Sequence, residues 1–293
     1  MKKIIFLILS LTLFTGCFDY KEINTLNIVN SMGIDYKNEN YIITINTLES
    51  ENNQMKIKTY NESGKTISDA LLKLDNKIKK ELYLGHLEAI VIGNNSKDYL
   101  FTIMEYFKEQ NEINKEFLVL ITENGNAFDL IDEQFEINTL EESNFANESI
   151  FKNNSYNLNL SMQYYKLLGF IENKEDFYIP VLTKEENNGE FLYSSTQIRL
   201  YKNNEHLTTL STYKTKLYAL LNLNRIVFFG TNEEYNYKDI VLMLINKEEN
   251  NNTFKATFMI NEIKYGETVK KQIKNYLKDN YEKFDIDFIG GDI

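Results

Sequence analysis

Apolar positions in the first half of the chain follow two periods, one typical of strands and one typical of helices. Residues 41–49 form an alternating β-branched run, and the compact apolar runs 86–93 and 116–123 also predict strands. Residues 66–80 and 97–110 instead place their apolar side chains at helical spacing. The expected inward positions are Ile67, Ala70, Leu71, Leu74 and Ile78 in the first helix and Leu100, Ile103, Met104 and Phe107 in the second.

Local signals refine these helices. Thr66, with Asp69 three residues later, predicts a capping pair at the start of the first helix. A third helix is expected over 158–173, with a break at Gly169.

From Phe177 onward the pattern changes to pairs of alternating segments joined by polar turns. Two such segments flank Asn203-Asn204, a dipeptide typical of a two-residue hairpin turn. A second hairpin is predicted over 239–263, with its turn at Glu249 to Asn252. The second half therefore predicts antiparallel hairpins.

An amphipathic helix is predicted over 267–284, after the second hairpin. Its apolar stripe is expected to pack against the hairpin face formed by alternate apolar side chains; the stripe is Val269, Ile273 and Leu277, and the face is Val241, Met243 and Ile245. Residues 285–293 are too few for a long strand, so we expect an unpaired sheet edge there.

The polar turn 184–190 is the best candidate for a domain boundary, since the chain contains no Gly/Pro/Ser-rich linker and no internal repeat. It divides the chain into an N-terminal part, 17–184, and a C-terminal part, 185–293. Residues 1–16 form a leader.

That leader has the three-part layout of a secretory signal. Lys2 and Lys3 precede an apolar run from Ile4 to Phe14, and two small residues lead to Cys17. The single cysteine of the chain thus stands where bacterial lipoproteins carry the cysteine that receives a diacylglyceryl thioether. We interpret Cys17 as a lipidation site; an ordinary signal peptide with a chance cysteine is the alternative.

Composition excludes several classes of protein. One cysteine excludes an internal disulfide framework and zinc sites built on several thiolates. The net charge of −11 disfavours nucleic acid as a partner, because phosphate binding needs a basic face. Cleavage before Cys17 lowers the charge to −13, since the leader carries two lysines and no acidic residue. An acidic protein is repelled by anionic lipid, so the acyl chains must hold it at the membrane.

Few side chains suggest catalysis or metal binding. His86 and Glu88 are expected on one face of a strand, where they could share a metal or act as acid and base. The favoured interpretation is a structural histidine that packs near the helix at 66–80.

Three acidic residues could bind a cation but fit no calcium loop, so we interpret them as a solvated face; they are Asp132, Glu133 and Glu136. Gly64-Lys65-Thr66 resembles the end of a phosphate-binding loop, but Thr59 replaces its first glycine, so we interpret Gly64 as a turn residue. We expect no catalytic residue, no metal and no cofactor.

Several short motifs, in this order along nearly the whole chain, resemble the Ger(x)C lipoproteins of spore germination. The first is Cys17-Phe18-Asp19 followed by Lys21-Glu22-Ile23, with Phe18 where the family usually has Trp. The others are Gly33-Ile34-Asp35, Gly64 with Thr66, Ile67 and Ala70, the segment from His86 to Ile92-Gly93, Pro180, and Asp285 with Gly290.

The resemblance implies an α+β fold of successive mixed domains, with a C-terminal domain shorter than in relatives. It implies the C subunit of a nutrient germinant receptor, a non-enzymatic protein on the outer face of the spore inner membrane with two polytopic membrane subunits as partners. The alternatives are a substrate-binding lipoprotein of an importer, disfavoured by the hairpins after residue 185, and a lipid-anchored hydrolase, for which we find no nucleophile and base.

Overall fold

In the residues that the structure describes, two mixed β-sheets with helices packed on them form the fold, so the α+β class is confirmed. The computed structural model describes residues 26–51, 54–78, 80–131, 160–187, 190–223, 227–229 and 240–291.

Nine of the described strands form the first sheet. They are β1 (Leu26–Lys37), β2 (Asn40–Glu51), β3 (Gln54–Gly64), β4 (Glu81–Tyr83), β5 (Ala89–Ile92), β6 (Leu118–Thr122), β7 (Phe177–Asn187), β8 (Glu190–Lys202) and β9 (Glu205–Leu210). Their order is β3-β2-β1-β5-β6-β7-β8-β9, and β4 pairs with the first residues of β1. The centre of this sheet, β1-β5-β6-β7, is parallel, whereas hairpins form both sides.

Four of the described helices cover the first sheet: α1 (Ile67–Lys77), α2 (Leu100–Glu109), α3 (Ala127–Ile131) and α4 (Tyr164–Asn173). A 3₁₀ turn, Asn94–Tyr99, leads into α2. The inward positions predicted for α1 and α2 are all buried. They share one core cluster with α4, whereas α3 packs in a separate cluster with β5 and β6. The sheet is therefore covered on both faces, as parallel strands require.

The second sheet has the order β10-β11-β12-β13. Its strands are β10 (Val227–Phe229), β11 (Ile240–Asn250), β12 (Thr253–Ile260) and β13 (Lys283–Gly290), and its helices are α5 (Thr212–Asn222) and α6 (Gly266–Leu277). A 3₁₀ turn, Ile263–Tyr265, precedes α6. One core cluster joins α5, α6 and β11–β13 to side chains of β8 and β9.

The local signals at turns and caps are confirmed. Thr66 Oγ1 accepts a hydrogen bond from the backbone N–H of Asp69 at 3.0 Å. Asn203 and Asn204 have φ values of 49° and 67°, which suits the turn between β8 and β9. The second hairpin turns between Asn250 and Thr253, as expected.

Other predictions were wrong. Helix α4 begins at Tyr164 and runs through Gly169 without a break. Helix α6 ends at Leu277, and the residues after it form β13, an eight-residue strand parallel to β12. A parallel partner needs no tight turn, so the helix returns the chain to the sheet edge.

The apolar stripe of α6 does pack on the sheet, but on the face opposite to the predicted one. Val269, Ile273 and Leu277 join the cluster that contains Ile240 and Leu242. Val241 and Met243 lie on the other face, because neighbouring side chains of a strand point to opposite sides. Ile245 lies at a β-bulge, where the pairing of β11 with β12 shifts between Leu244 and Asn246. Ile245 remains 46% exposed.

The proposed boundary at 184 falls inside β7, and the turn around it joins β7 to β8 within one sheet. The division into 17–184 and 185–293 stays a prediction.

Candidate functional site

The carboxyl ends of β1, β5 and β6 meet around the buried side chain of Asp35. Its Oδ1 accepts a hydrogen bond from the backbone N–H of Ala127 at 2.8 Å, and its Oδ2 accepts one from Phe128 at 3.0 Å. These two N–H groups belong to the first turn of α3, where helices leave donors unpaired. Asp35, a residue of β1, therefore caps the N-terminus of helix α3.

Glycine residues allow the Asp35 carboxylate and the loop before α3 to pack closely against β5 and β6. A Cβ atom on Gly93 would lie 1.8 Å from Asp35 Oδ1, so only glycine fits behind the carboxylate. Gly125, whose φ of +85° favours glycine, accepts hydrogen bonds through its carbonyl from Asn94 N–H and Thr122 Oγ1, both at 3.2 Å. The loop before α3 is thus fixed against β5 and β6.

Burial raises the pKa of the Asp35 carboxyl, and the Asp129 carboxylate adds to this effect. The two backbone hydrogen bonds from α3 oppose it, since they favour the charged form. Ligands of open α/β sheets usually bind outside the carboxyl ends of the strands. Here that position holds α3 and its cap, so Asp35 has a structural role.

A shallow groove of about 280 Å³ contains the second pair of candidates, His86 and Glu88. The structure places His86 in an exposed turn between β4 and β5, with its ring centroid 5.9 Å from that of Tyr83. The predictions that His86 lies on a strand and packs near α1 were therefore wrong. The strand starts later, at Ala89, and Leu87 supplies the buried side chain instead.

Glu88 differs from His86 in being largely buried, and its Oε2 atom has no hydrogen-bond partner. Burial raises the pKa of this carboxyl, whereas a hydrogen bond from Asn30 and the nearby His86 lower it. In the described part of the chain, no group of three or more His, Cys, Asp or Glu side chains could hold a metal ion. The groove offers polar groups but no arrangement that indicates a reaction.

The remaining candidates lie elsewhere. Cys17 and the acidic cluster Asp132, Glu133 and Glu136 are outside the described residues. Gly64 ends β3 one turn before α1, and a Cβ atom there would lie 2.4 Å from the backbone nitrogen of Ala70. The interpretation of Gly64 as a turn residue was wrong, because Gly64 is the last residue of β3 and the bend begins after it.

Sequence reasoning missed the contact between α2 and α4. Lys115 Nζ donates to the carbonyls of Phe107 and Gln110 at the end of α2. The same ammonium lies 5.7 Å from the ring centroid of Tyr164, whose hydroxyl donates to Met104 O at 2.8 Å. No sequence spacing marks these partners, because they are brought together only by the packing of the helices.

Among the described helices, none combines the length and the apolar character needed to cross a bilayer.

Comparison with known proteins shows similarity to a family of spore germination proteins. The model of a family described as "Spore germination protein N-terminal domain" matches residues 19–184. The chain is also similar to "Spore germination protein KC" of Bacillus subtilis (strain 168), with 27% identity over 101 residues. That alignment covers 30% of this chain and 25% of the relative, so the chain matches about a quarter of the relative's length. No solved structure matches significantly.

The motif residues Gly33, Asp35, Gly64, His86 and Gly93 all lie inside the matched range. Because the family model covers more than half of the chain, and because the motifs occur in the family's order, the chain belongs to the Ger(x)C family of spore germination proteins.

Proposed function

We propose that the chain is the lipid-anchored C subunit of a nutrient germinant receptor and acts in spore germination. The observation that carries this proposal is the family match, which begins at Asp19, two residues after Cys17. Its mechanism is contact and conformational coupling within the receptor, without bond chemistry. The structural role of Asp35, a motif residue at the edge where ligands usually bind, supports this mechanism.

Cys17 carries the anchor in this proposal. Each buried CH₂ of an acyl chain contributes roughly 0.8 kcal/mol, so two or three chains hold a protein where one does not. Leu26, the first residue of β1, stands nine positions after Cys17. A fully extended chain of that length spans at most about 30 Å. The first sheet therefore stays close to the outer face of the spore inner membrane.

This short tether favours partners that are themselves embedded in the membrane. We infer two polytopic membrane subunits, as the family resemblance implies, and nutrients as the signal. The acidic charge of the chain gives no attraction to anionic lipid, which leaves the acyl chains and the protein partners to fix its position.

Lipid labelling tests the anchor. Cells that express the wild type, Cys17→Ala or the control Thr25→Ala are grown with a radiolabelled fatty acid, and membranes are then separated from soluble protein. We expect label and membrane association in the wild type and in Thr25→Ala, and neither in Cys17→Ala. A labelled, membrane-bound Cys17→Ala protein would contradict the assignment.

Purification from spores tests the partners. The chain, tagged after its last residue, is solubilised from the spore inner membrane in mild detergent and isolated. We expect two polytopic membrane proteins to co-purify in comparable amounts with the tagged chain. Isolation of the chain alone, or with the permease and ATPase subunits of an importer, would contradict the proposed receptor.

A further inference from the structure

The groove that contains His86 and Glu88 lies where β5 and β6 begin, at the opposite end of these strands from Asp35. Two of its apolar lining residues, Leu87 and Phe117, are 2% and 1% exposed and belong to the core. Its polar lining residues are His86, Glu88, Asn114, Glu116 and Gln163. A volume of about 280 Å³ is near the lower end of the range for small-molecule sites.

The charge along this groove is negative. Glu88 and Glu116 line it, whereas no lysine or arginine does. Glu116 is exposed, and its carboxylate forms no ion pair within the described part of the chain. The groove therefore repels anions and attracts cations.

Two lysines that are close to groove residues in the sequence direct their ammonium groups elsewhere. Lys115 Nζ donates to two carbonyls at the end of α2, and burial alone lowers its pKa, so no carboxylate of the groove acts on it. Lys166 Nζ lies 5.6 Å from the ring centroid of its neighbour Tyr165. The two carboxylates are thus not neutralised by either lysine.

Behind the groove, two buried acceptor atoms have no hydrogen-bond donor. Asn30 of β1 is 3% exposed, its carbonyl accepts a 2.9 Å hydrogen bond from Glu88 N–H, and its side chain also bonds the Glu88 carboxyl. Asn30 Oδ1 and Glu88 Oε2 nevertheless have no partner. Buried oxygens of this kind are normally hydrogen-bonded, so the pair favours a ligand that donates hydrogen bonds.

The same pair explains why a cationic donor suits the groove. Burial raises the pKa of the Glu88 carboxyl, and the groups that oppose this effect are Asn30 and His86, with no lysine or arginine among them. A cation bound beside Glu88 would favour its charged form.

The donor set fits an ammonium group better than a metal ion. In the residues described, no three His, Cys, Asp or Glu side chains are placed to hold a metal. A primary ammonium is a compact cation with three N–H donors. Its acceptors here are the two carboxylates and the side-chain oxygen of Gln163, which caps no donor of α4. Leu87 and Phe117 can contact a short alkyl chain.

We propose that this groove binds a small primary amine in its ammonium form, with Glu88 and Glu116 as its carboxylate partners. The role is binding alone and includes no bond chemistry. The inference does not depend on the proposed function, because it rests on the groove and on Asn30 behind it.

NMR titration of the full chain carrying Cys17→Ser tests this proposal. The probe is n-propylamine, which is protonated at pH 8. The control compounds, at the same pH and ionic strength, are 1-propanol, butyrate and tetramethylammonium, which lack the charge, reverse it and lack the N–H donors. We expect saturable shifts of the His86, Glu88 and Glu116 amide signals with n-propylamine, and none with the control compounds. Equal shifts with any control compound, or no saturable shift with n-propylamine, would overturn the proposal.

Matched variants separate the groove from general acidity. Glu88→Gln and Glu116→Gln should each weaken binding of n-propylamine by about tenfold, because a charge-assisted hydrogen bond is lost. Glu112→Gln makes the same change in charge at an exposed position outside the groove and should leave binding unchanged. Because Glu116 is exposed, Glu116→Gln retains the fold even where Glu88→Gln does not. An equal loss with Glu112→Gln, or unchanged binding with Glu116→Gln, would contradict the assignment of the site.

Discussion

The Asp35 carboxylate accepts a 2.8 Å hydrogen bond from the backbone N–H of Ala127, a residue 92 positions later in the chain. With the bond from Phe128, it fixes the start of α3 to the carboxyl end of β1. Asp35→Asn should lower the free energy of unfolding by about 1–3 kcal/mol, because an amide presents one oxygen and leaves one buried donor unpaired. Urea unfolding measures the change. The exposed Asp98→Asn is the control, and equal stabilities of both variants would show that the cap contributes nothing.

The space behind Asp35 gives a second prediction. Gly93→Ala would bring a methyl group to 1.8 Å from Asp35 Oδ1, so the chain must shift and stability should fall by about 1–3 kcal/mol. Gly169→Ala is the matched control, since no atom lies within 4 Å of the added methyl and the site is inside α4. It should raise stability by about 0.5–1 kcal/mol, as in other helices. A destabilised Gly169→Ala protein would contradict the continuous helix.

The contact between α2 and α4 predicts a dependence on pH. Burial, together with the Glu172 charge, raises the pKa of Tyr164 from 10.0 to about 12. The folded state therefore holds this proton more tightly than the unfolded state. The stability that Tyr164 contributes is complete below pH 10.0 and is lost as the pH rises through about 12.

Tyr164→Phe tests this dependence. The variant should be less stable than the wild type by about 1–2 kcal/mol at pH 8, because it lacks the hydrogen bond to Met104 O. This difference should shrink between pH 10 and 12. Unfolding in urea at several pH values measures it, with the exposed Tyr165→Phe as control. A difference that stays constant up to pH 12 would disprove the raised pKa.

His86 should be dispensable for stability, although it leads one of the family motifs. Its side chain is exposed, so His86→Gln should change the free energy of unfolding by less than about 0.5 kcal/mol. The neighbouring Leu87 is 2% exposed, and Leu87→Ala should cost about 2–5 kcal/mol. Thermal and urea unfolding of both variants would show whether this contrast holds; a large loss with His86→Gln would restore its packing role.

The period of apolar residues in the sequence correctly predicted the helices that bury one apolar stripe, α1 and α2. All inward positions of α1 and α2 are buried, and the caps and turns at Thr66 and Asn203-Asn204 form as expected, since each depends on neighbours in the sequence. The break predicted at Gly169 is absent because packing of α4 on the sheet outweighs the weak helix propensity of glycine.

Features that depend on distant contacts could not be predicted from the sequence. The link from Asp35 to Ala127 joins elements that only the sheet order brings together. The sequence does not show which face of β11 contacts α6. It also does not show that β13 forms, because β13 pairs in parallel with β12 and parallel pairing needs no tight turn that could be recognised in the sequence. The motifs Gly33-Ile34-Asp35 and Gly93 contain the residues that form the cap of α3. Their spacing in the sequence does not predict that Asp35 and Gly93 are in contact.

Germination of spores that lack the gene tests the central claim most directly. Dormant spores of the deletion strain, the complemented strain and a Cys17→Ala complemented strain are exposed to single amino acids, sugars and nucleosides, and loss of optical density is followed. The account predicts that the deletion abolishes or strongly slows the response to at least one nutrient, that the wild-type gene restores it, and that Cys17→Ala restores it poorly. A deletion strain that germinates like its parent with every nutrient, alone and in mixtures, would contradict the assignment as a germinant receptor subunit.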